Sequence, residues 1–156
     1  ACDAVGVMRI HLVYSTDKPP EEALARTTSG SAAKWIDIVR HETIEGCYRV
    51  LREQGFAIYA TALSPESKDL YALDLTPPVA LVFGNEQRGV SAVARQFADA
   101  AVIIPMHGMV ESLNISVACA VSLFEAMRQR RALGQYDEPK LEDAEMTALR
   151  EDWLCR

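Results

Sequence analysis

The sequence has few of the features that would set it outside ordinary folded domains. It carries four cysteines, Cys2, Cys47, Cys119 and Cys155, with no CxxC pair and no neighbouring histidine at ligand spacing, so no zinc framework is expected. Cys47 lies in a helical pattern and Cys119 in a run of small apolar residues, where a free cysteine acts as a small buried hydrophobe. Reduced thiols in a cytoplasmic setting are the expectation. No stretch approaches the roughly 20 apolar residues that span a bilayer. The N-terminus also lacks the basic-then-apolar order of a signal peptide. The chain opens at Ala1 without a methionine and soon enters an apolar stretch, which reads as a cut end. There is no internal repeat, no P-loop and no GxGxxG fingerprint.

What is present suits one compact domain. The 156 residues are 49% apolar and 24% charged, enough to bury a core without staples. A net charge of −6 speaks against a broadly basic nucleic-acid binder, because phosphate contacts need Lys and Arg. The charge is uneven, however. Residues 137–156 hold seven acidic and three basic side chains, so the other 136 sum to only −2. Any RNA contact must therefore be a local basic patch.

Strand and helix signals alternate. Residues 7–14 (VMRIHLVY) and 35–39 (WIDIV) read as strands, separated by a short helical stretch at 21–26 and a Thr-Ser-Gly-Ser loop at 27–31. Thr43 can cap a helix to about Gln54, with Gly55 past its end. Strands follow at 56–62 and 79–83, the latter (VALVF) a continuous apolar run of the kind found in doubly covered parallel sheets. A helix from Ser91 to Ala98, a strand at 101–104 and a long helix from Ser112 to about Leu133 come next, the last with apolar residues at Leu113, Val117, Val121 and Phe124. Residues 134–138 form a linker and 141–153 a terminal amphipathic helix. This order predicts an α/β fold with a mostly parallel sheet flanked by helices, its main domain over 1–133 and a C-terminal linker and helix over 134–156.

In open parallel sheets ligands settle beyond the carboxyl ends of the strands. Two segments fall there, LVFGNEQRGVS at 81–91 and IIPMHGMVESLNIS at 103–116. Gly84 and Gly89 would let backbone approach a ligand, and equally suit an ordinary turn. Met106, Gly108, Met109 and Leu113 would make an apolar floor with free backbone groups, fit for an adenine ring. Ser112 and Asn114 read as helix caps or as site polar groups. Glu86 reads as a site carboxylate or as an exposed ion pair with Arg88. Arg128, Arg130 and Arg131 oppose the macrodipole at a helix end or contact phosphate. His11, His41 and His107 share no spacing, and none is read as catalytic.

Together, FGNEQRGVS and IIPMHGMVESLNISVACAVSLFEAMRQR resemble motifs two and three of the TrmH-type methyltransferases of the SPOUT superfamily. TTSGSAAKW at 27–35 and the tail YDEPKLEDAEMTALREDW resemble the branch acting on tRNA guanosine. The resemblance implies a C-terminal deep trefoil knot, an exception to the rule against knots, and a homodimer is the expected active form; the cysteine spacing and hydropathy lead to the expectation of no metal and no membrane. It implies S-adenosyl-L-methionine as cofactor, surrounded by Thr61, Leu63, Phe83, Gly84, Asn85, Gly89, Ile104, Met106, Gly108, Met109 and Leu113. Glu86, Ser112 and Asn114 match positions near the reacting centre, and Arg128 and Arg130 match arginines linked to RNA binding. The family's first motif holds an asparagine and an arginine just before the segment matching ACDAVGV, so its catalytic arginine is expected upstream of Ala1. The activity implied is RNA ribose 2′-O-methylation, of tRNA guanosine first and of ribosomal RNA as the alternative. A knotted RNA-binding module without catalysis is the non-enzymatic alternative.

Overall fold

The computed structural model describes residues 1–14, 35–85, 88–110 and 112–155. The helical stretch at 21–26 and the loop at 27–31 lie outside the described residues, as does Glu86. Six strands and four α-helices are described: β1 (Arg9–Val13), β2 (Asp37–His41), α1 (Ile44–Glu53), β3 (Ala57–Thr61), β4 (Lys68–Asp69), β5 (Val79–Val82), α2 (Ala92–Phe97), β6 (Ala100–Ile103), α3 (Ile115–Ala132) and α4 (Asp143–Cys155). Single 3-10 turns at Asp3–Val5 and Leu70–Ala72 complete the set.

Among the described residues, all pairs between these strands are parallel. Strands β1 and β2 form a pair of their own, and the other four run in the order β4-β6-β3-β5. The last strand in sequence, β6, therefore sits inside the sheet, and the β5-to-β6 connection crosses from one side of β3 to the other.

Local chemistry explains the helix starts. Thr43 accepts a hydrogen bond from Gly46 N at 3.1 Å, Ser91 from Ala94 N at 3.2 Å and Asn114 from Ser116 N at 2.9 Å, each satisfying an amide the helix leaves unpaired. Gly55, at φ +80°, takes the left-handed position after α1. Because Asn114 is the cap, α3 begins at Ile115 rather than at Ser112.

Two apolar clusters cover the four-stranded sheet. One gathers Cys47, Tyr48 and Leu51 of α1 with Ile58 and Ala94; the other gathers Leu70, Leu75, Val102 and Ala126. Alternation along β3 divides them, since Ile58 belongs to the first while Tyr59 packs on the second. The Asp99 carboxylate then locks the start of β6, accepting from Ile58 N at 2.7 Å and from Arg52 at 3.2 Å.

The inward face of α3 is not its row of spaced apolar residues. Val121 packs on the second cluster, but Leu113, Val117 and Phe124 are exposed, while Ser122, Glu125 and Ala126 are buried. The reason lies in the segment between β4 and β5. Gln129 accepts from Leu75 N at 2.8 Å and donates to Leu73 O at 3.0 Å, and Arg130 donates to Leu75 O and Pro77 O at 3.0 and 2.8 Å. The helix thus turns polar side chains inward to satisfy irregular backbone. Along α4, Met146, Leu149 and Trp153 form the half-buried stripe, and Trp153 meets Trp35 edge to face with centroids 5.4 Å apart. These two tryptophans, with Asp3, Gly6, Val7 and Met8, line a cavity of about 320 Å³.

Candidate cofactor and RNA site

Parallel register brings the ends of β3, β5 and β6 to one edge. Thr61 is level with Val102, and Ala60 with Val82. The loops 62–67, 83–91 and 104–114 all leave from this edge, so the carboxyl-end rule selects the two segments singled out in the sequence.

The first loop is a tight turn held by its own backbone. Asn85 O accepts from Gly89 N at 2.9 Å, and the Asn85 side chain accepts from Arg88 N at 2.6 Å. Gly89 sits at φ +63°, a conformation that costs other residues energy. A Cβ on Gly84 would lie 1.9 Å from the Gly89 carbonyl carbon and 2.2 Å from Val90 N. Gly84 is therefore glycine because the returning backbone of the same loop fills the space its side chain would need. The close approach expected of it is made to protein, which closes the turn and fixes where a ligand can lie.

The second loop is open. Among the described residues, the main-chain groups of 106–110 make no hydrogen bond within the protein, leaving donors and acceptors for a ligand. Ile104 and Met106 are half-buried, Gly108 is exposed, Met109 and Val110 are fully or mostly exposed, and Leu113 is 37% exposed. Across the edge Leu63 is 62% exposed, while Phe83 and Gly84 are half-buried and Asn85 is exposed. Apolar side chains beside unpaired backbone groups are what a purine attached to a small polar chain needs, and the residues fit S-adenosylmethionine in that sense.

Thr61 uses its hydroxyl structurally, donating to Val82 O at 3.0 Å, so it ties β3 to β5 at the mouth. Ser112 is exposed at the foot of α3, next to Asn114 and its capping bond. The sequence reading missed Ser64 and Ser67. Ser67 donates to Ala62 O at 2.7 Å and accepts from Ser64 N at 3.1 Å, shaping the loop after β3. A Ser-Pro-Glu-Ser run directly after a strand was the available signal.

At the far end of α3, Arg128 makes a two-bond contact with Glu125, both at 2.8 Å. The guanidinium holds the Glu125 carboxyl below the usual carboxylate range, aided by the Gln129 amide against the opposing effect of burial. Arg128 remains 68% exposed. Among the described residues, each of Arg128 and Arg130 commits two of its five N–H donors.

Residues 1–124 match the model of the SpoU rRNA Methylase family. The chain belongs to the SpoU methylase family. It is 46% identical over 153 residues to the tRNA (guanosine(18)-2′-O)-methyltransferase of Thermus thermophilus, covering 98% of this chain and 77% of that protein. The Escherichia coli enzyme of the same name is 40% identical over 149 residues, covering 94% of this chain and 64% of that one. Among solved structures, an Aquifex aeolicus TrmH/SpoU tRNA modifying enzyme superposes with a TM-score of 0.83 at 35% identity, over 98% of this chain and 77% of that one. An AdoMet-bound rRNA methyltransferase from Sinorhizobium meliloti gives 0.69 at 38% identity, over 81% of this chain and 48% of that one. The parallel α/β architecture expected from the sequence is that of these SpoU neighbours.

Proposed function

We propose that this SpoU methylase transfers the methyl group of S-adenosylmethionine to the ribose 2′ hydroxyl of a guanosine in tRNA. The carrying observation is the pairing of a backbone-closed glycine turn at 84–90 with an open apolar loop at 104–113 on one edge of a parallel sheet. The Thermus and Escherichia relatives, named for tRNA guanosine, support that substrate over ribosomal RNA.

When bound, S-adenosylmethionine supplies an electrophilic methyl group on a sulfonium sulfur. The chain's own residues bind, orient and exclude water. Leu63, Met106, Met109 and Leu113 provide the apolar cover, and the free main-chain groups of the second loop read the polar edge of the adenine. Ser112 and Asn114, at the start of α3, orient the ribose; Glu86, outside the described residues, joins them only through the resemblance of its motif. Holding the attacking oxygen in line with the methyl group supplies much of the rate, because it removes the entropy cost of encounter. Arg128 and Arg130, with donors to spare, contact the RNA backbone. We read the two loops and α3 as the trefoil knot. The exposed Val117 and Phe124 form the homodimer face, and the enzyme works in the cytoplasm.

Calorimetry with S-adenosylmethionine should show uptake near one per chain, abolished in Leu113→Arg. Nucleoside mapping of tRNA incubated with protein and donor should reveal 2′-O-methylguanosine. Undiminished uptake by Leu113→Arg overturns the site, and methylation confined to ribosomal RNA overturns the substrate.

A further inference from the structure

Three metal-ligating side chains outside the two loops of the methyl-transfer edge converge where β1, β2 and α1 meet. His11 and His41 stand on the shared face of the β1–β2 pair, where His11 lies opposite Val39 and Val13 opposite His41. Their rings stack with centroids 5.1 Å apart, and His11 Nδ1 lies 2.9 Å from His41 Nε2. Cys47 projects from α1 beneath them, and the ligand atoms of all three lie within 4.8 Å of one another. Cys47 is 3% exposed, and the two histidines are half-buried.

We propose that His11, His41 and Cys47 form a binding site for a zinc-class divalent cation. The donor set suits a borderline-soft ion with tetrahedral preference and excludes the hard, oxygen-seeking ones. Zn–N bonds of about 2.0–2.1 Å and a Zn–S bond of about 2.3 Å put tetrahedral ligand atoms roughly 3.4–3.6 Å apart. The imidazole nitrogens must then separate by about half an ångström and the sulfur close by no more than about an ångström, within reach of side-chain rotation. Binding needs a lone pair on both facing nitrogens, so the proton between the rings moves to the other nitrogen of the ring that carries it, and the Cys47 thiol proton is released; each ion taken up as M²⁺ therefore expels one H⁺. Half-exposed histidines leave the fourth position open to water. The site would pin the β1–β2 pair, separate in hydrogen bonding from the four-stranded sheet, to the helix whose other buried residues pack on β3. This inference stands independently of the proposed methyl transfer.

Linear spacing carries no hint of the site, because the three ligands come from three elements and meet only when the parallel register is set. Two other groupings are weaker. The Cys2 and Cys119 sulfurs, 4.0 Å apart, have no third ligand among the described residues, and the cavity between Trp35 and Trp153 offers no cluster of polar groups.

The test is titration of the reduced chain with Zn²⁺ against a chromophoric chelator, and with Co²⁺ as a spectroscopic probe. One ion per chain, one proton released per ion, a thiolate-to-cobalt charge-transfer band and a raised Tm are expected. His41→Asn and Cys47→Ser should each weaken uptake by more than the roughly 10–100-fold that removal of an outer-shell partner costs. The double variant Cys2→Ser/Cys155→Ser should retain full affinity. Because Cys47 is in the core, His41→Asn on the half-exposed side decides the matter if Cys47→Ser fails to fold. The proposal is overturned by uptake no tighter than the chelator's background. It is equally overturned if full uptake persists in His41→Asn, or if uptake is lost in the Cys2/Cys155 variant.

Discussion

Replacing Gly84 by alanine tests the first loop most directly. The added methyl would sit 1.9, 2.1 and 2.2 Å from Gly89 C, Gly89 O and Val90 N, against an ordinary carbon contact of about 3.5 Å. No side chain can yield, because all three atoms are backbone. The 89–90 peptide must therefore retreat by more than an ångström, breaking the Gly89 N to Asn85 O bond. Overpacking costs typically 1–3 kcal/mol and the lost hydrogen bond about 1 kcal/mol, so a loss of about 3 kcal/mol is expected. For a domain of this size that corresponds to a fall in Tm of roughly 6–12 °C. Two controls bracket the effect. A Cβ on Gly108 meets nothing within 4 Å, so Gly108→Ala should be neutral or stabilise by up to about 1 kcal/mol. Gly89→Ala also meets nothing, but its φ of +63° should cost about 1–2 kcal/mol. Urea unfolding followed by circular dichroism gives the ranking, and calorimetry gives S-adenosylmethionine affinity for each variant. If Gly84→Ala matches Gly108→Ala in both stability and affinity, the account of the turn is wrong.

Three further outcomes are expected. Ser122→Ala should stabilise the fold by about 1 kcal/mol, because the buried Ser122 hydroxyl has no hydrogen-bond partner among the described residues; a destabilised variant in urea unfolding would contradict this. Arg130→Ala should cost about 1–3 kcal/mol by stranding the Leu75 and Pro77 carbonyls, and should lower the salt slope of tRNA binding by about 0.9 if it also meets a duplex phosphate; filter binding over a salt series separates the two losses. Glu125 has a folded pKa below its ordinary 4.5, so its stabilising contribution is full above that pH and disappears as pH falls through the folded value. Glu125→Gln should therefore flatten the acid limb of stability below about pH 4.5, and an unchanged acid limb would remove Glu125 from the account.

Much of this fold was legible because local and tertiary signals agree. The Thr43, Ser91 and Gly55 positions mark helix ends by chemistry that acts within a few residues, and the apolar VALVF run marks a strand covered on both faces. The segment 68–75 was not legible. Leu70 and Leu75 are fully buried core residues, yet they lie in or beside a two-residue strand and a single turn, too short for periodicity to register. The inward face of α3 was not legible for a related reason, since apolar spacing does not mark the polar residues that the irregular backbone at 73–77 requires. In the two loops, the glycine and methionine positions were visible through the motifs. The Ser64–Ser67 arrangement and the His11–His41–Cys47 convergence depend on side chains meeting across turns or strands, which linear spacing does not encode.

The position of β6 inside the sheet sets a timetable for the chain as it leaves the ribosome. Strand β4 pairs only with β6 among the described strands, so Leu70 and Leu75 have only Tyr59 and Val79 of the β3–β5 pair to cover until residue 103 has emerged. The backbone at 73–77 then waits for Gln129 and Arg130. At roughly 5–20 residues per second, the second cluster stays uncovered for a few seconds after the β3–β5 pair can form. A nascent chain stalled in that interval would expose Leu70, Leu75 and Val102 to chaperones, while the Tyr48–Ile58 half is already packed.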